Sequence, residues 1–378
     1  MPFLEAIRQM HQELGHSHCL FVHTTLVPMV SAVGEPKTKP TQHSVKELRA
    51  IGIQPDMIIA RSEQPLSEAL RRKISLFCDV PAEAVISNPD VRLIYEVPIL
   101  FEEQGLTDQL LERWQLPARG RDLQAWSDFL DAALHPQERV TIAIVGKYTQ
   151  LQDSYISYTE ALTHAGAAMR TGIDVRWIEA EGFSEEQMEG LDGVIVPVGF
   201  GSRGHEGKIE AIHYARTHEI PFLGICYGFQ LATVEFGRNV LGLQGANSTE
   251  FGATPHPIVD LMPEQHEISE KGATMRLGSY PVHIERGTIA HQLYGQAQIH
   301  ERHRHRWEIN PKYIKELEAQ GLKYSGKSPD GRRMEILELP SHPFFVASQF
   351  HPEFKSRPTK PRPLFLGLVQ TCLARKKR

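Results

Sequence analysis

Apolar positions recur along this chain in two alternating rhythms. FLEAIRQMHQEL, HSVKELRAIG and SEALRRKISLFC repeat their apolar residues at three- and four-residue intervals and predict amphipathic helices. Between them, CLFVHTTLVPMV, DMIIARS and AVIS are apolar runs rich in β-branched residues, which predicts buried strands. A helical stretch then reaches about Trp114. Strands separated by helices predict a parallel sheet covered on both faces. The rhythm breaks at LPARGRDLQAWSDFLDAALHPQER, a charged helix bracketed by Pro117 and Pro136 that reads as an interdomain linker. A second alternation starts at VTIAIVGK and runs through helix SYISYTEALTHAGAAM, strands DVRWIEA and GVIVPVGF, helix EGKIEAIHYARTHE and strand PFLGIC. The predicted fold class is α/β: two doubly wound parallel-sheet domains over 1–115 and 139–378, with a linker over 116–138. Sheets of this kind bind ligands outside the carboxyl ends of their strands.

Composition removes several classes of function. At 378 residues there is room for two or three cores, and 41 Lys and Arg against 46 Asp and Glu leave a net charge of -5, with no basic field for nucleic acid. Cys19, Cys78, Cys226 and Cys372 form no CxxC pair, which argues against a disulfide framework or structural zinc and fits a reducing compartment, the cytoplasm. No apolar run approaches the ~20 residues that span a bilayer. The N-terminal MPFLEAIRQMHQ lacks the cationic flank and apolar core of a signal peptide, and a helical pattern is already under way by its third residue.

Two short patterns offer chemistry, and their flanks decide between them. GLKYSGKS, residues 321–328, satisfies the phosphate-loop pattern GxxxxGK[ST]. Such a loop needs a strand before it and a helix after it, so that backbone N–H groups and the positive helix end face the phosphates. Here PKYIKELEAQ upstream reads as an amphipathic helix, Pro329-Asp330-Gly331 downstream is a turn, and MEILELP alternates like a strand. Both flanks are of the wrong type. In PFLGICYGFQLATVEF, by contrast, a buried strand runs into Gly224-Ile-Cys226-Tyr-Gly228 and straight into a helical pattern. That is the strand, sharp turn and helix of a nucleophile elbow, with a thiol at the helix N-terminus, where thiolate is favoured. Downstream, the apolar strand FFVASQF leads to His351, with Glu353 two residues further on and Pro352 between them. A base held in one tautomer by a carboxylate completes a Cys, His, Glu triad in chain order.

GxCxGxQ with a distant HPE resembles the class I glutamine amidotransferases. KTKPTQHSVKELR, NSTEFG, GATMRLG, ERHRHRWE and ASQFHPEFKSRP look like the CTP synthase family over essentially the whole chain. The resemblance implies a glutamine-hydrolysing ligase of pyrimidine biosynthesis that aminates UTP to CTP with ATP and Mg²⁺, using ammonia from a second domain. It implies that 1–115 is the C-terminal part of the phosphate-loop-type amidoligase domain and 139–378 the glutamine amidotransferase. The family's phosphate loop and Mg²⁺ ligands would then precede Met1, so no metal ligand is expected here and only the glutaminase half-reaction is expected of the chain alone. Carried over residue by residue, Cys226 matches the nucleophile, His351 the base and acid, and Glu353 its orienting group. Gly199, Tyr227, Gly228, Phe229, Gln230, Glu250 and Arg306 match the oxyanion hole and the glutamine pocket. Lys37, Thr38, Lys39, Pro40, Thr41 and Gln42, a polar loop, match the site of UTP and of the feedback inhibitor CTP, with Lys73, Asp90 and Val91 as further nucleotide contacts. The stretch 201–208, GSRGHEGK, matches a mobile lid that responds to GTP, an allosteric activator in the family. The resemblance also implies a homo-oligomer, a tetramer in the complete family enzyme.

Two departures stand out. The family typically has PGGFG where this chain has Pro197-Val198-Gly199-Phe200-Gly201, and a positive φ at Val198 would strain a β-branched residue beside the oxyanion hole. Tyr227 and Phe229 also replace the family's usual Leu and Met, and could narrow the glutamine pocket. Two other readings fit the same residues: a free-standing hydrolase of glutamine or a γ-glutamyl amide, and an inactive nucleotide-binding or assembly subunit. Ammonia release sets the last apart, and nucleotide dependence separates the first two.

Overall fold

The computed structural model describes every residue except 31–33, 119, 148, 200, 263–274 and 378. Phe200, residues 272–274 of GATMRLG, and parts of other stretches quoted above therefore lie outside the described residues. The chain divides into two units, Met1–Asp122 and Leu123–Arg378.

In the first unit helices and strands alternate: α1 (Pro2–Leu14), β1 (Val22–Leu26), α2 (Lys39–Ala50), β2 (Met57–Arg61), α3 (Glu68–Cys78), β3 (Val85–Asn88), α4 (Val97–Glu103) and α5 (Leu106–Arg113). The three strands lie in the order β1-β2-β3 and are all parallel. Met57, Ile58, Val85 and Ile86 from the sheet meet Val45 of α2 and Ile74 of α3 in the core. Despite its amphipathic pattern, α1 buries none of its residues. The stretch Lys37–Gln42 is not the polar loop that its composition predicts. Its last four residues form the first turn of α2, with Pro40 in the first two helical positions, where the missing N–H is harmless.

The second unit contains α6 (Gln124–Leu134), β4 (Glu138–Gly146), α7 (Ile156–Ala168), β5 (Thr171–Glu179), β6 (Gly193–Val196), α8 (His205–Thr217), β7 (Phe222–Ile225), α9 (Tyr227–Asn239), β8 (Arg276–Ile284), α10 (Ile289–Tyr294), β9 (Gln298–His305), α11 (Pro311–Ala319), β10 (Lys323–Lys327), β11 (Met334–Glu338), β12 (Phe345–Ser348) and α12 (Pro363–Lys376). Part of the segment read as a linker belongs here: α6 buries Phe129 and Ala132. Nine strands form one sheet in the order β9-β8-β10-β11-β12-β7-β6-β4-β5. From β12 through β7, β6 and β4 to β5 the pairing is parallel, as the helix–strand alternation predicts. From β12 outward to β9 it is antiparallel. A tight turn, not a helical crossover, joins β10 to β11, with Gly331 at φ 70°, and a turn that short can only return the chain antiparallel.

GLKYSGKS is the first strand of that hairpin, rather than the connection leading into it. Lys323 pairs with Glu338 and Lys327 with Met334, so β10 is committed to the sheet ladder. A Cβ on Gly326 would come within 2.6 Å of Ile336, so this glycine serves close packing and not a phosphate. The ammonium of Lys327 lies 3.9 Å from Glu318, both half exposed. A half-exposed pair contributes at most about 1 kcal/mol. Lys327→Ala should therefore lower the unfolding free energy, read from denaturant titration, by no more than that and leave any ATP affinity unchanged. Loss of ATP binding, read by equilibrium titration, would restore the phosphate loop.

Candidate active site

The turn between β7 and α9 places one thiol in an unusual backbone state. Cys226 has φ 54° and ψ -94°, a positive φ in a residue other than glycine. Holding such a conformation costs about 1–3 kcal/mol and persists only where the surroundings impose it. Here they do. The Cys226 N–H donates to the Ser348 carbonyl at 2.7 Å, across the carboxyl ends of the neighbouring parallel strands β7 and β12. The flanking glycines contribute closeness and not unusual angles. A Cβ on Gly228 would lie 2.1 Å from the Val196 carbonyl oxygen, and one on Gly224 would lie 2.8 Å from both the Ala347 Cβ and the Gly228 oxygen. Without side chains at these two positions, α9 can start directly against the sheet. Cys226 stands at the N-terminus of that helix, whose first N–H groups no helical carbonyl reaches.

Beyond β12 the chain delivers the second group. His351 Nδ1 and a Glu353 carboxylate oxygen are 2.7 Å apart, and both side chains are buried. Burial of the ring disfavours its charge, but Glu353 and then Cys226 outweigh it and raise His351 to about 10. The Arg302 carbonyl receives the His351 N–H at 2.8 Å, and Phe354 stacks on the ring with centroids 5.0 Å apart. The Cys226 thiol points to the Arg304 carbonyl at 3.7 Å. Beside these groups lies a cavity of about 670 Å³ lined by Leu277, Gly278, Arg302, His303, Arg304 and Phe354.

The stretch 197–201 closes another side of the site. Val198 is absent from the positive-φ residues, so the strain expected of it is not present. Its N–H donates to the Tyr158 hydroxyl at 3.0 Å, and its side chain packs on the core. Around Gly201, the Glu250 carboxylate accepts the N–H at 2.7 Å, while the Tyr227 hydroxyl donates to the carbonyl at 2.8 Å. Burial raises both the Glu250 carboxyl and the Tyr227 hydroxyl above their ordinary pKa. A Cβ on Gly199 would lie 3.2 Å from the Tyr227 ring. Only the first half of the expected lid has the backbone freedom predicted for it, with Gly201 and Gly204 at positive φ. Residues 205–208 are the packed first turn of α8, where a Cβ on Gly207 would lie 2.0 Å from the Ala180 oxygen and Lys208 is fully buried.

The remaining predicted residues divide. Arg306 follows β9 and is largely buried. Gln230 donates its amide to the Trp307 carbonyl at 2.9 Å and to Gln349 Oε1 at 3.1 Å, so its side chain is engaged within the protein. Phe229 does not line a pocket. It is wholly buried against Tyr324 in the core. In the first unit, Lys37 pairs with Glu35 at 3.1 Å, Thr41 donates to the Leu26 carbonyl at 3.1 Å and Gln42 to the Thr38 hydroxyl at 3.1 Å. Both threonines are buried, so their hydroxyls serve the fold here. Asp90, one residue before Val91, pairs with Arg61 at 2.5 Å beyond the ends of β2 and β3. Lys39 is exposed, and Lys73 stands on the exposed side of α3. The first unit's cavity of about 520 Å³, lined by Leu20, Asp56, Glu83 and Arg113 among others, includes none of these residues. Sequence reasoning missed Gln349 and Tyr158. A glutamine inside the apolar run FFVASQF was the available signal, because a buried polar side chain needs a partner.

Among the described residues no three His, Cys, Asp or Glu side chains gather as metal ligands, and no step is assigned to Mg²⁺. Nor is any helix among them long and apolar enough to cross a membrane.

A cysteine on a strained strand–helix elbow beside a buried His–Glu pair, on a mixed sheet, defines a glutamine amidotransferase of class I, and the family of that description matches residues 150–371. The CTP synthase N-terminus family matches residues 1–116. CTP synthase of Thermococcus gammatolerans is 58% identical over 100% of this chain and 72% of its own length. That of Methanocaldococcus jannaschii is 54% identical with the same coverage. The solved glutaminase domain of Trypanosoma brucei CTPS with bound acivicin has a TM-score of 0.58 and 37% identity over 62% of this chain and 94% of that one. The chain belongs to the CTP synthase family, whose members are glutamine-hydrolysing ligases.

The raised pKa of His351 links the site to stability. An unfolded histidine titrates near 6.5, so His351 stabilises the fold fully below that pH, and the contribution is lost as pH rises towards about 10. Urea midpoints should fall from pH 7 to 9 in the native chain, and His351→Gln should flatten that decline. An equal slope in both proteins would show that the ring is not held protonated.

Proposed function

We propose that the second unit hydrolyses glutamine to glutamate and ammonia. The observation that carries this reading is the 54° φ of Cys226 at the carboxyl end of β7, next to the strand that leads to the His351–Glu353 pair. The thiolate of Cys226 attacks the side-chain amide carbon, a carbon–sulfur bond forms, and the carbonyl electron pair moves onto oxygen. Backbone N–H groups at Gly199, Tyr227 and Gly228 receive that oxyanion, a contribution often worth about 3 kcal/mol in acyl transfer. His351, protonated at neutral pH, gives its proton to the nitrogen as the carbon–nitrogen bond breaks, and ammonia leaves. A water, deprotonated by the same ring, then attacks the γ-glutamyl thioester and releases glutamate. Glu353 fixes the ring's orientation throughout. Arg306, with its planar fork, suits the substrate α-carboxylate, and Glu250 suits the α-ammonium.

Cys226→Ala and His351→Ala should each lower ammonia release by more than about 1000-fold, because nucleophile and base act as a unit. Glu353→Gln should keep a measurable fraction. Steady turnover by Cys226→Ala would remove the assignment.

The ammonia would serve amination of UTP. Lys37, Lys39 and Gln42 lie near the carboxyl end of β1, and Asp90 near those of β2 and β3, which supports nucleotide contacts at the end of the sheet where such ligands bind. Lys73 and Val91 join that reading by resemblance alone, as does GTP activation through 201–204. Phosphoryl transfer depends on a clamp of backbone donors, lysine and Mg²⁺ around the triphosphate. Among the described residues, no strand of the first unit runs through a glycine-rich turn into a helix carrying such a lysine. The 378 residues alone should make no CTP from UTP, ATP, Mg²⁺ and ammonia. CTP formed in that assay, which bypasses the glutaminase, would place the clamp within them.

A further inference from the structure

Under the elbow runs a hydrogen-bonded chain whose direction is set by one backbone group. The Trp307 carbonyl can only accept. It receives Gln230 Nε2 at 2.9 Å and faces His305 Nδ1 at 3.0 Å, so the Gln230 atom turned towards it must be the amide nitrogen. That same nitrogen lies 3.1 Å from Gln349, whose facing atom must therefore be the oxygen. The other end of the Gln349 amide, its NH₂ group, is thereby aimed at Cys226 Sγ, 3.6 Å away. Gln349 is 1% and Gln230 4% exposed, so water does not compete for these bonds.

Two of the sulfur's polar neighbours have opposite preferences. The Arg304 carbonyl, 3.7 Å away, can only accept and so favours the protonated thiol. The Gln349 N–H can only donate and so favours the thiolate, because hydrogen bonds to an ionised acceptor are the stronger kind. We propose that Gln349 is a positioning residue for the nucleophile: its side-chain N–H holds Cys226 Sγ as the thiolate, and the Trp307 carbonyl, acting through Gln230, prevents the amide from turning its oxygen to the sulfur. The proposal rests on Cys226 as the nucleophile of the reaction above, but concerns the ionisation of the thiol itself. His351 and Glu353 beyond β12 and Tyr158 on α7 also face this site and remain in place in each variant below.

The test is alkylation of Cys226 in the full chain by iodoacetamide, a neutral electrophile, followed by mass analysis of the Cys226 peptide across pH 5–10. This reads the thiolate without any glutaminase turnover, so failure of the glutaminase reading would not blur it. Gln349→Met, of similar shape but without the donor, should raise the midpoint by roughly one pH unit, making alkylation below it about tenfold slower. Gln349→Glu, which places a carboxylate against the sulfur, should raise it further. Glutaminase kcat should fall in both while KM changes little. An unchanged midpoint in a variant that melts at the native temperature overturns the proposal. If Gln349→Met does not fold, the same two outcomes are read from Gln349→Glu. The native chain with ¹⁵N-labelled glutamine needs no substitution: one side-chain NH₂ signal should move as the thiol ionises, and no such movement also overturns the proposal.

Discussion

One hydrogen bond, from the Cys226 N–H to the Ser348 carbonyl, closes the gap between the strand that leads to Cys226 and the strand that leads to His351. At 2.7 Å it lies just past the last ladder pair of β7 and β12, Ile225 with Ser348. With it in place, the chain after β7 must turn at once and the chain after β12 must leave the sheet beside it. The positive φ of Cys226 and the position of His351 are both consequences of that junction. A residue in such a conformation is stable only where its neighbours impose it, and a parallel ladder between two fully buried strands is rigid enough to do so.

Glycine serves two separate physical purposes around this junction. Gly224, Gly228, Gly207 and Gly326 are sites where a Cβ would collide with backbone or a packed side chain, so they set how near elements approach. Gly201 and Gly204 instead take positive φ and let the chain turn before α8 begins. The first group makes the site compact and the second shapes its border. Several polar groups converge on that border: Glu250 accepts from the Gly201 N–H, Tyr227 donates to the Gly201 carbonyl, and Lys208, pushed down to about 7 by burial, sits 5.0 Å from the Tyr227 ring centroid.

The buried polar groups behind the elbow follow a single rule. Burial lowers the pKa of both His303 and His305, so both remain neutral, and Arg276 meets them and the buried Glu335 carboxylate, 2.7 Å from its guanidinium. With no water to share, each amide and ring must point the way its neighbour requires. Order therefore passes from Trp307 through the two glutamines to the sulfur.

Local chemistry was legible in the sequence: the alternation that makes two α/β units, the GICYG elbow, the HPE run, and the wrong flanks of GLKYSGKS. Each is a matter of period, turn residues or near neighbours, which a short window contains. What depended on remote partners was not legible. KTKPTQ is polar enough for a loop, yet Thr41 finds the Leu26 carbonyl and the segment starts a helix. Phe229 looked like a pocket residue beside the nucleophile, but its helix face turns it to Tyr324 in the core. Val198 gave cause to expect strain, and only the backbone showed an ordinary φ with its N–H on Tyr158. The antiparallel half of the large sheet and the orientation of the Gln349 amide belong to the same group. Sequence by itself determined most of the helices and strands and where the Cys226 elbow and the His351–Glu353 run stand in the chain, because those follow from neighbours a few residues apart. Tertiary structure alone decided which strands pair and which way a buried amide faces, because those are set by groups up to 123 residues away, as Gln349 is from Cys226.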